Sequence, residues 1–171
     1  MRNKVLVVLS VTACLFIGAA APARAALRPM KEKISGESEA IVCPEFICFK
    51  FRAAAMGKPI NEGIFRGTFR IPDTGAYTNN QGKSCRPADG TGTFKRGVHT
   101  VSVSFQGSAC LVSKGSTKSK LHAYGRITDG AGNFNNATGA GGLVITFEYT
   151  KGEQPMSYSW DGTIKGSGGG G

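Results

Sequence analysis

Polar and apolar residues alternate along most of the chain between residues 41 and 164, and short glycine-rich turns separate the alternating runs. In the clearest run, 99–105, one face carries His99, Val101, Val103 and Phe105. The intervening positions carry only threonine and serine. A period of two is typical of a β-strand with one dry face and one wet face.

Eight runs of this kind predict strands, at 46–51, 63–71, 92–95, 99–105, 109–112, 120–127, 143–149 and 156–164. The one helix-prone stretch, 52–56, is too short to be stable by itself. Short strands at close spacing predict an all-β sandwich or barrel. A single closed antiparallel barrel of about eight strands, over residues 41–164, is favoured because closure removes exposed sheet edges. Periodicity alone leaves a sandwich open.

The first 25 residues have the pattern of a secretory signal peptide. Arg2 and Lys4 precede an apolar run, and Ala23-Arg24-Ala25 supplies the small residues that signal peptidase requires. A retained membrane anchor is the alternative, but the run is shorter than the roughly 20 residues of a membrane span. A second alternative is a lipoprotein signal at Cys14, although the apolar run continues past it. We therefore expect a secreted protein, either extracellular or in the periplasm or cell envelope, with no transmembrane segment after cleavage.

Two further segments are expected to be flexible. Residues 26–40 are polar, charged and weakly patterned, which predicts a mobile N-terminal arm. Residues 165–171 form a glycine-rich tail with no apolar side chain to bury.

Charge restricts the partners only loosely. Loss of the three basic residues of the signal lowers the formal net charge from +10 to +7, which favours acidic surfaces or polymers. The basic residues are scattered, and the nearest to a patch are Lys114, Lys118 and Lys120, in a predicted hairpin loop. Specific nucleic-acid binding would need a basic stripe interleaved with aromatic residues, and no such stripe is present in the sequence.

Four cysteines remain after the signal is removed: Cys43, Cys48, Cys85 and Cys110. An even number in an exported chain predicts two disulfides. Three pairings are open, and we favour Cys43–Cys48, around a turn at Pro44, with Cys85–Cys110 between two strands. A zinc site is the alternative, but no second close pair of ligands follows at the usual spacing.

The segment 127–139 suggests a family. It resembles the glycine-rich signature of the allene oxide cyclase and dirigent barrels, and of secreted bacterial proteins with that fold. The matching positions are Gly130, Gly132, Phe134, Ala137 and Gly139. Asn133 and Ala131 stand where those families often carry a basic residue and a threonine.

The resemblance implies an eight-stranded, calycin-type antiparallel barrel. In those families the barrel often holds an apolar small molecule, and some members guide the cyclisation or coupling of a reactive intermediate. Their catalytic positions have no matching residues in this sequence, so the resemblance implies a fold and no active site.

Candidate ligand-binding residues come from the predicted inner faces: His99, Phe105, Tyr158 and Trp160. Each of them also has a simpler interpretation. The histidine would lie at the barrel rim, and the aromatic residues would pack in the core; otherwise these side chains line an apolar pocket. Glu148 and Asp161 are expected outside the barrel. No catalytic set, metal site or cofactor motif is evident.

Three functions remain open from the sequence. The first is a non-enzymatic exported barrel that packs its own interior or holds a small apolar ligand, and that acts in the envelope or outside the cell. The second is a cyclase- or isomerase-like barrel that orients a hydrophobic intermediate. The third is a basic interaction module for acidic surfaces. The oligomeric state is not determined by these patterns.

Overall fold

Alternating residues form strands through most of the described chain, which comprises residues 27–148 and 153–165 of the computed structural model. In chain order these are β1 Arg28–Cys43, β2 Phe46–Lys58, β3 Gly63–Pro72, β4 Tyr77–Thr78, β5 Ser84–Arg96, β6 His99–Leu111, β7 Lys118–Ala131, β8 Thr138–Glu148 and β9 Glu153–Lys165. A 3-10 turn, Gly132–Phe134, lies between β7 and β8. The predicted signal peptide lies outside the described residues, and so does the tail after Lys165.

The strands form one antiparallel sheet in the order β3-β2-β1-β9-β8-β7-β6-β5-β4. A further pairing between β3 and β5 joins the two ends, so eight strands close into a barrel. The two-residue β4 pairs only with the start of β5 and lies outside the closed ring. The predicted fold class, an all-β closed barrel of about eight strands, is confirmed.

Aromatic side chains fill much of the barrel interior. Phe49 stacks on Phe69 with ring centroids 4.8 Å apart, and Phe65 stacks on Phe94 at 4.2 Å. The Tyr158 ring lies 4.8 Å from that of Phe65 and joins the second stack. All five rings are buried. Burial of such side chains is the main favourable contribution to folding of the barrel.

Glycines one or two strands away leave room for large rings. The ring of Phe51 lies over Gly67, and that of Trp160 lies over Gly125. A methyl group at either glycine would overlap the ring that covers it. Large and small residues therefore interlock across strands, as close packing in a protein interior requires.

The prediction of a flexible arm at residues 26–40 is wrong. Most of this segment belongs to β1, which is a full member of the barrel. Residues 31–43 pair with β2, and residues 28–39 pair with β9. Met30 and Ile34 point inward and are buried. Lys31 and Lys33, which lie between them, face solvent, and the charged residues of β1 give the segment the composition of a flexible arm.

The strand count agrees with the prediction only because two errors compensate. β1 was missed, whereas the runs 99–105 and 109–112 belong to one strand, β6.

The helix-prone stretch 52–56 is part of β2, with Ala53 and Ala55 buried against the core. Lys118 and Lys120 lie in β7 rather than in a loop. Tertiary packing thus overrides a weak local propensity.

Both favoured disulfides are present. Cys43 and Cys48 bridge the ends of β1 and β2 around the turn at Pro44 and Glu45. Cys85 and Cys110 are direct cross-strand neighbours on β5 and β6. All four cysteines are therefore bonded, which rules out the zinc alternative at these residues.

We expect the Cys85–Cys110 bond to stabilise the protein more than Cys43–Cys48. The bridged residues are 25 and 5 positions apart, so loop closure gives about 3.5 and about 2 kcal/mol respectively. Urea unfolding of Cys85→Ser/Cys110→Ser and of Cys43→Ser/Cys48→Ser measures both losses. An equal or larger loss for the short loop would contradict this ordering.

The interlocking of rings and glycines predicts a contrast between two alanine substitutions. Gly125→Ala places a methyl group against the Trp160 ring and should lower the free energy of unfolding by about 1–3 kcal/mol. Gly142→Ala is the matched control, because its nearest new neighbour would be the Asp161 carbonyl oxygen at 3.9 Å. Similar stabilities for the two variants would show that the interior is loosely packed.

Candidate functional site

A buried carboxyl group marks the inner face of β1. Glu32 lies between Met30 and Ile34 along the strand, and its cross-strand partners are Trp160 on β9 and Gly57 on β2. Its side chain is only 1% exposed. Carboxyl groups are rarely buried so completely without a charged partner, so this position is the first candidate for chemistry in the barrel.

One oxygen of Glu32 has a protein partner and the other does not. The Ile60 backbone N–H donates to Oε1 at 3.3 Å, from the turn between β2 and β3. Oε2 is buried, and the described residues offer it no hydrogen bond. A side chain at Gly57 would come within 2.8 Å of Oε2, so the glycine leaves room for the carboxyl group.

Burial shifts the proton affinity of this group. Desolvation raises the pKa of Glu32 from 4.5 to about 7, although the Ile60 hydrogen bond opposes the shift. The pKa of the Tyr158 hydroxyl is also raised, by burial and then by the charge of Glu32. Glu32 can therefore bind or release a proton near neutral pH, as a general acid or base must.

Two more buried polar atoms lie on β9, the strand beside Glu32. The Tyr158 hydroxyl and the Trp160 indole N–H are buried, and neither has a hydrogen-bond partner among the described residues. Unsatisfied buried polar groups are few in native proteins. Glu32, Tyr158 and Trp160 form the interior polar cluster of this barrel.

The structure places the four predicted ligand-binding residues in two different settings. Phe105, Tyr158 and Trp160 point inward and are buried, and Tyr158 and Trp160 belong to the interior polar cluster. His99 is half-buried at the start of β6, where its Nδ1 accepts a hydrogen bond from the Asn133 backbone N–H at 3.0 Å. Its position matches the rim interpretation, and that contact holds the turn between β7 and β8.

The glycine-rich segment that suggested a family forms this same turn. Gly132 has φ of +63°, which favours glycine. Phe134 is partly buried and packs against the core, and Ala137 is buried beside it. Gly130 and Gly139 approach backbone atoms so closely that a side chain would overlap them. The segment therefore forms the connection between β7 and β8, with Phe134 and Ala137 packed on the core.

The two other predicted carboxylates lie outside the barrel. Glu148 pairs with Lys118 at 3.2 Å, and Asp161 pairs with Lys31 at 3.3 Å. Both ion pairs are at the surface, where such pairs contribute little to stability.

The outer wall carries open grooves between rows of polar side chains. One, of about 570 Å³, runs across β1, β2, β3 and β5 and is lined by Arg52 and Arg66. A second, of about 410 Å³, crosses β5, β6 and β7 beside Tyr124 and Arg126. A third, of about 310 Å³, lies between them and borders the Cys43–Cys48 bond. These grooves are accessible without any rearrangement of the barrel.

Sequence reasoning missed Glu32 and the grooves for different reasons. Glu32 was assigned to the flexible arm, although the period of two through Met30, Glu32 and Ile34 was a signal for a strand. The grooves depend on which strands are neighbours, and no single strand contains that information.

Searches of protein-family models, curated proteins and solved structures found no match to this chain. Within residues 27–148 and 153–165, no three histidine, cysteine or acidic side chains are grouped so that they could hold a metal ion. The same part of the chain includes no helix with the length and apolar character of a membrane span.

The raised pKa of Glu32 predicts how stability depends on pH. The folded protein binds this proton more tightly than the unfolded chain, so the free energy of unfolding falls as the pH rises from 4.5 to about 7. The full fall is at most about 3 kcal/mol. Glu32→Gln should remove this part of the slope in urea unfolding at a series of pH values.

The matched control for that experiment is Glu37→Gln, on the exposed outer face of the same strand. This variant should keep the slope of the unmodified protein. Equal slopes in the unmodified protein and in Glu32→Gln would show that the carboxyl group is not desolvated.

Proposed function

We propose that this chain is an exported, disulfide-stabilised barrel that binds a partner through its outer wall, in the cell envelope or outside the cell, and that it catalyses no reaction. The observation that carries the proposal is the contrast between the two surfaces of the sheet. The inner surface is occupied by the protein's own stacked rings, whereas the outer surface carries open polar grooves.

Several features of the sequence support export. The first 25 residues have the charge, length and small residues of a cleavable signal. Two disulfides are typical of proteins that fold in an oxidising compartment. The net charge of +7 that remains after cleavage favours acidic partners, which are common at cell surfaces.

An apolar ligand inside the barrel is the less favoured form of the same proposal. It would have to displace rings such as Phe65 and Phe94, whose centroids are 4.2 Å apart. Displacement of closely packed core side chains costs free energy that ligand binding would need to offset. We therefore assign the binding surface to the outer wall.

A cyclase- or isomerase-like barrel is the second candidate function, and one observation favours it. Glu32 is a buried carboxyl group with a pKa near neutrality and an oxygen that lacks a hydrogen-bond partner. Perturbed groups of this kind are concentrated in active sites. This candidate requires space for a substrate beside Glu32 and Tyr158.

Native mass spectrometry of the protein exported by its own source organism tests both candidates. We expect the mass of residues 26–171 less four hydrogens, with no small molecule retained, because the interior is filled. Phe65→Ala is the control: it opens a cavity among the aromatic rings, so added indole should be retained by that variant and not by the unmodified protein.

A small apolar compound that is retained by the unmodified protein and released on unfolding would contradict outer-wall binding and favour the second candidate. A mass that includes residues 1–25, or four free thiols, would contradict export into an oxidising compartment.

A further inference from the structure

Three grooves on the outer wall adjoin one another. Thr68 borders both the 570 Å³ groove and the 310 Å³ groove. Asp89 and Thr91 border both the 310 Å³ groove and the 410 Å³ groove. We call this continuous surface the outer belt. It crosses six neighbouring strands of the barrel, β1, β2, β3, β5, β6 and β7, so it is roughly 24 Å long when measured along the curved wall at the usual strand spacing. Such a length fits an extended chain better than a compact small molecule.

One end of the outer belt holds a pair of like charges. Arg52 on β2 lies directly opposite Arg66 on β3, and both side chains are exposed. Among the described residues, neither guanidinium lies within 4.0 Å of a carboxylate oxygen. Like charges directly opposite each other destabilise a sheet. Arg52 also has Glu37 as its direct neighbour on β1, although the two form no ion pair. An anionic group between the two arginines would reduce the repulsion that remains and could accept paired hydrogen bonds from either of them.

The other end of the outer belt offers an aromatic surface. Tyr124 on β7 is 53% exposed, and its partner on β8 is Gly142, which has no side chain to cover the ring. Its partner on β6 is Gln106, and Arg126 follows on the same face of β7. An exposed ring beside amide and guanidinium donors suits a flat apolar face that is rimmed by hydroxyl groups, as a sugar ring has.

Hydroxyl groups and one fixed carboxylate occupy the middle of the outer belt. Thr68, Thr91 and Ser104 lie in one cross-strand row. The next row contains Asp89, whose two oxygens accept hydrogen bonds from the Arg70 Nε–H at 2.9 and 3.1 Å. The Arg70 guanidinium also lies 4.8 Å from the centre of the Phe46 ring. These side chains form a surface of donors and acceptors that needs little reordering on binding.

The charges of the outer belt limit the spacing of negative groups on the partner. Lys50, Arg52, Arg66, Arg70 and Arg126 are basic, while Glu37, Glu39 and Asp89 are acidic. A single-stranded nucleic acid carries a phosphate at every residue, so some phosphates would meet the acidic side chains. It also needs several stacking residues. A polysaccharide with acidic groups at intervals avoids both difficulties.

We propose that the outer belt binds a single extended chain of an anionic polysaccharide, with an acidic group between Arg52 and Arg66 and a sugar ring on Tyr124. This inference rests on the proposed outer-wall function and names its partner. The middle rows hydrogen-bond to the sugar hydroxyls. The interior polar cluster takes no part in binding.

Titration calorimetry with hyaluronan, which carries a carboxylate on every second sugar, and with dextran as a neutral polymer, tests the proposal. The unmodified protein should bind hyaluronan, with an affinity that falls as salt is raised, and should bind dextran at least about tenfold more weakly. Arg52→Gln/Arg66→Gln should weaken binding about tenfold or more. Tyr124→Ala should weaken it several-fold at every salt concentration, since stacking is not ionic.

Lys33→Gln/Lys58→Gln is the matched control, because it removes two exposed positive charges from β1 and β2 that do not border the grooves of the outer belt. It should bind within about twofold of the unmodified protein. An equal loss in this control would show that binding follows net charge alone and would overturn the proposal. So would equal affinity for dextran, no binding of hyaluronan, or tighter binding of a single-stranded polynucleotide with the same sensitivity to the variants.

Failure here is distinguishable from failure of the proposed function. A mass with no retained small molecule, together with unaltered binding by the outer-belt variants, would overturn only the polysaccharide proposal. A ligand retained inside the barrel would overturn the proposed function itself.

Discussion

Closure of the sheet between β3 and β5 is the constraint on which the rest of the molecule depends. Seven residue pairs, from Ile64–Lys95 to Arg70–Asp89, join these strands and use the backbone groups that would otherwise form free edges. Gly67 lies directly opposite Gly92 in this pairing, and the rings of Phe51 and Phe65 lie where side chains at those glycines would be. Closure and aromatic packing therefore depend on each other.

The same closure separates an inner surface, which has little room for a ligand, from an outer surface that is open to a partner. Inside, the rings that cover the glycines also fill the volume in which a ligand could lie. Outside, closure fixes the register of β3 with β5, so that Thr68 faces Thr91 and Arg70 faces Asp89. The outer wall therefore presents ordered rows of polar side chains, and a partner could bind them without displacing any core side chain. For this reason we assign binding to the outer wall.

Among the described residues, Glu32 is the one acidic or basic side chain that is buried, in an interior that is mostly apolar. Desolvation disfavours its ionised form, yet Oε1 accepts the hydrogen bond that holds Ile60. Ile60 is buried, although it lies in the turn between β2 and β3. The carboxyl group thus attaches that turn to the wall of the barrel. Because its pKa lies near 7, the strength of this attachment depends on pH near neutrality.

The sequence by itself determined the strand type and the all-β class, and it favoured the disulfide pairing that the structure has. A period of two requires one dry face, and cysteines near strand ends meet when those strands pair. The glycine-rich turn at 130–139 was also readable, because Gly132 and Phe134 have local roles. These features depend on residues that are close in sequence or on the alternation of polar and apolar residues along a strand.

Tertiary structure alone decided the membership of β1, the burial of Glu32 and the outer belt. The alternation through Met30 and Ile34 is weak by itself, and β1 is a strand because β2 and β9 pair with both of its edges. Likewise, Arg52 and Arg66 become a pair only through the register of β2 with β3. Register is set by the sum of contacts over the whole closed sheet, and no short segment of the chain contains that sum.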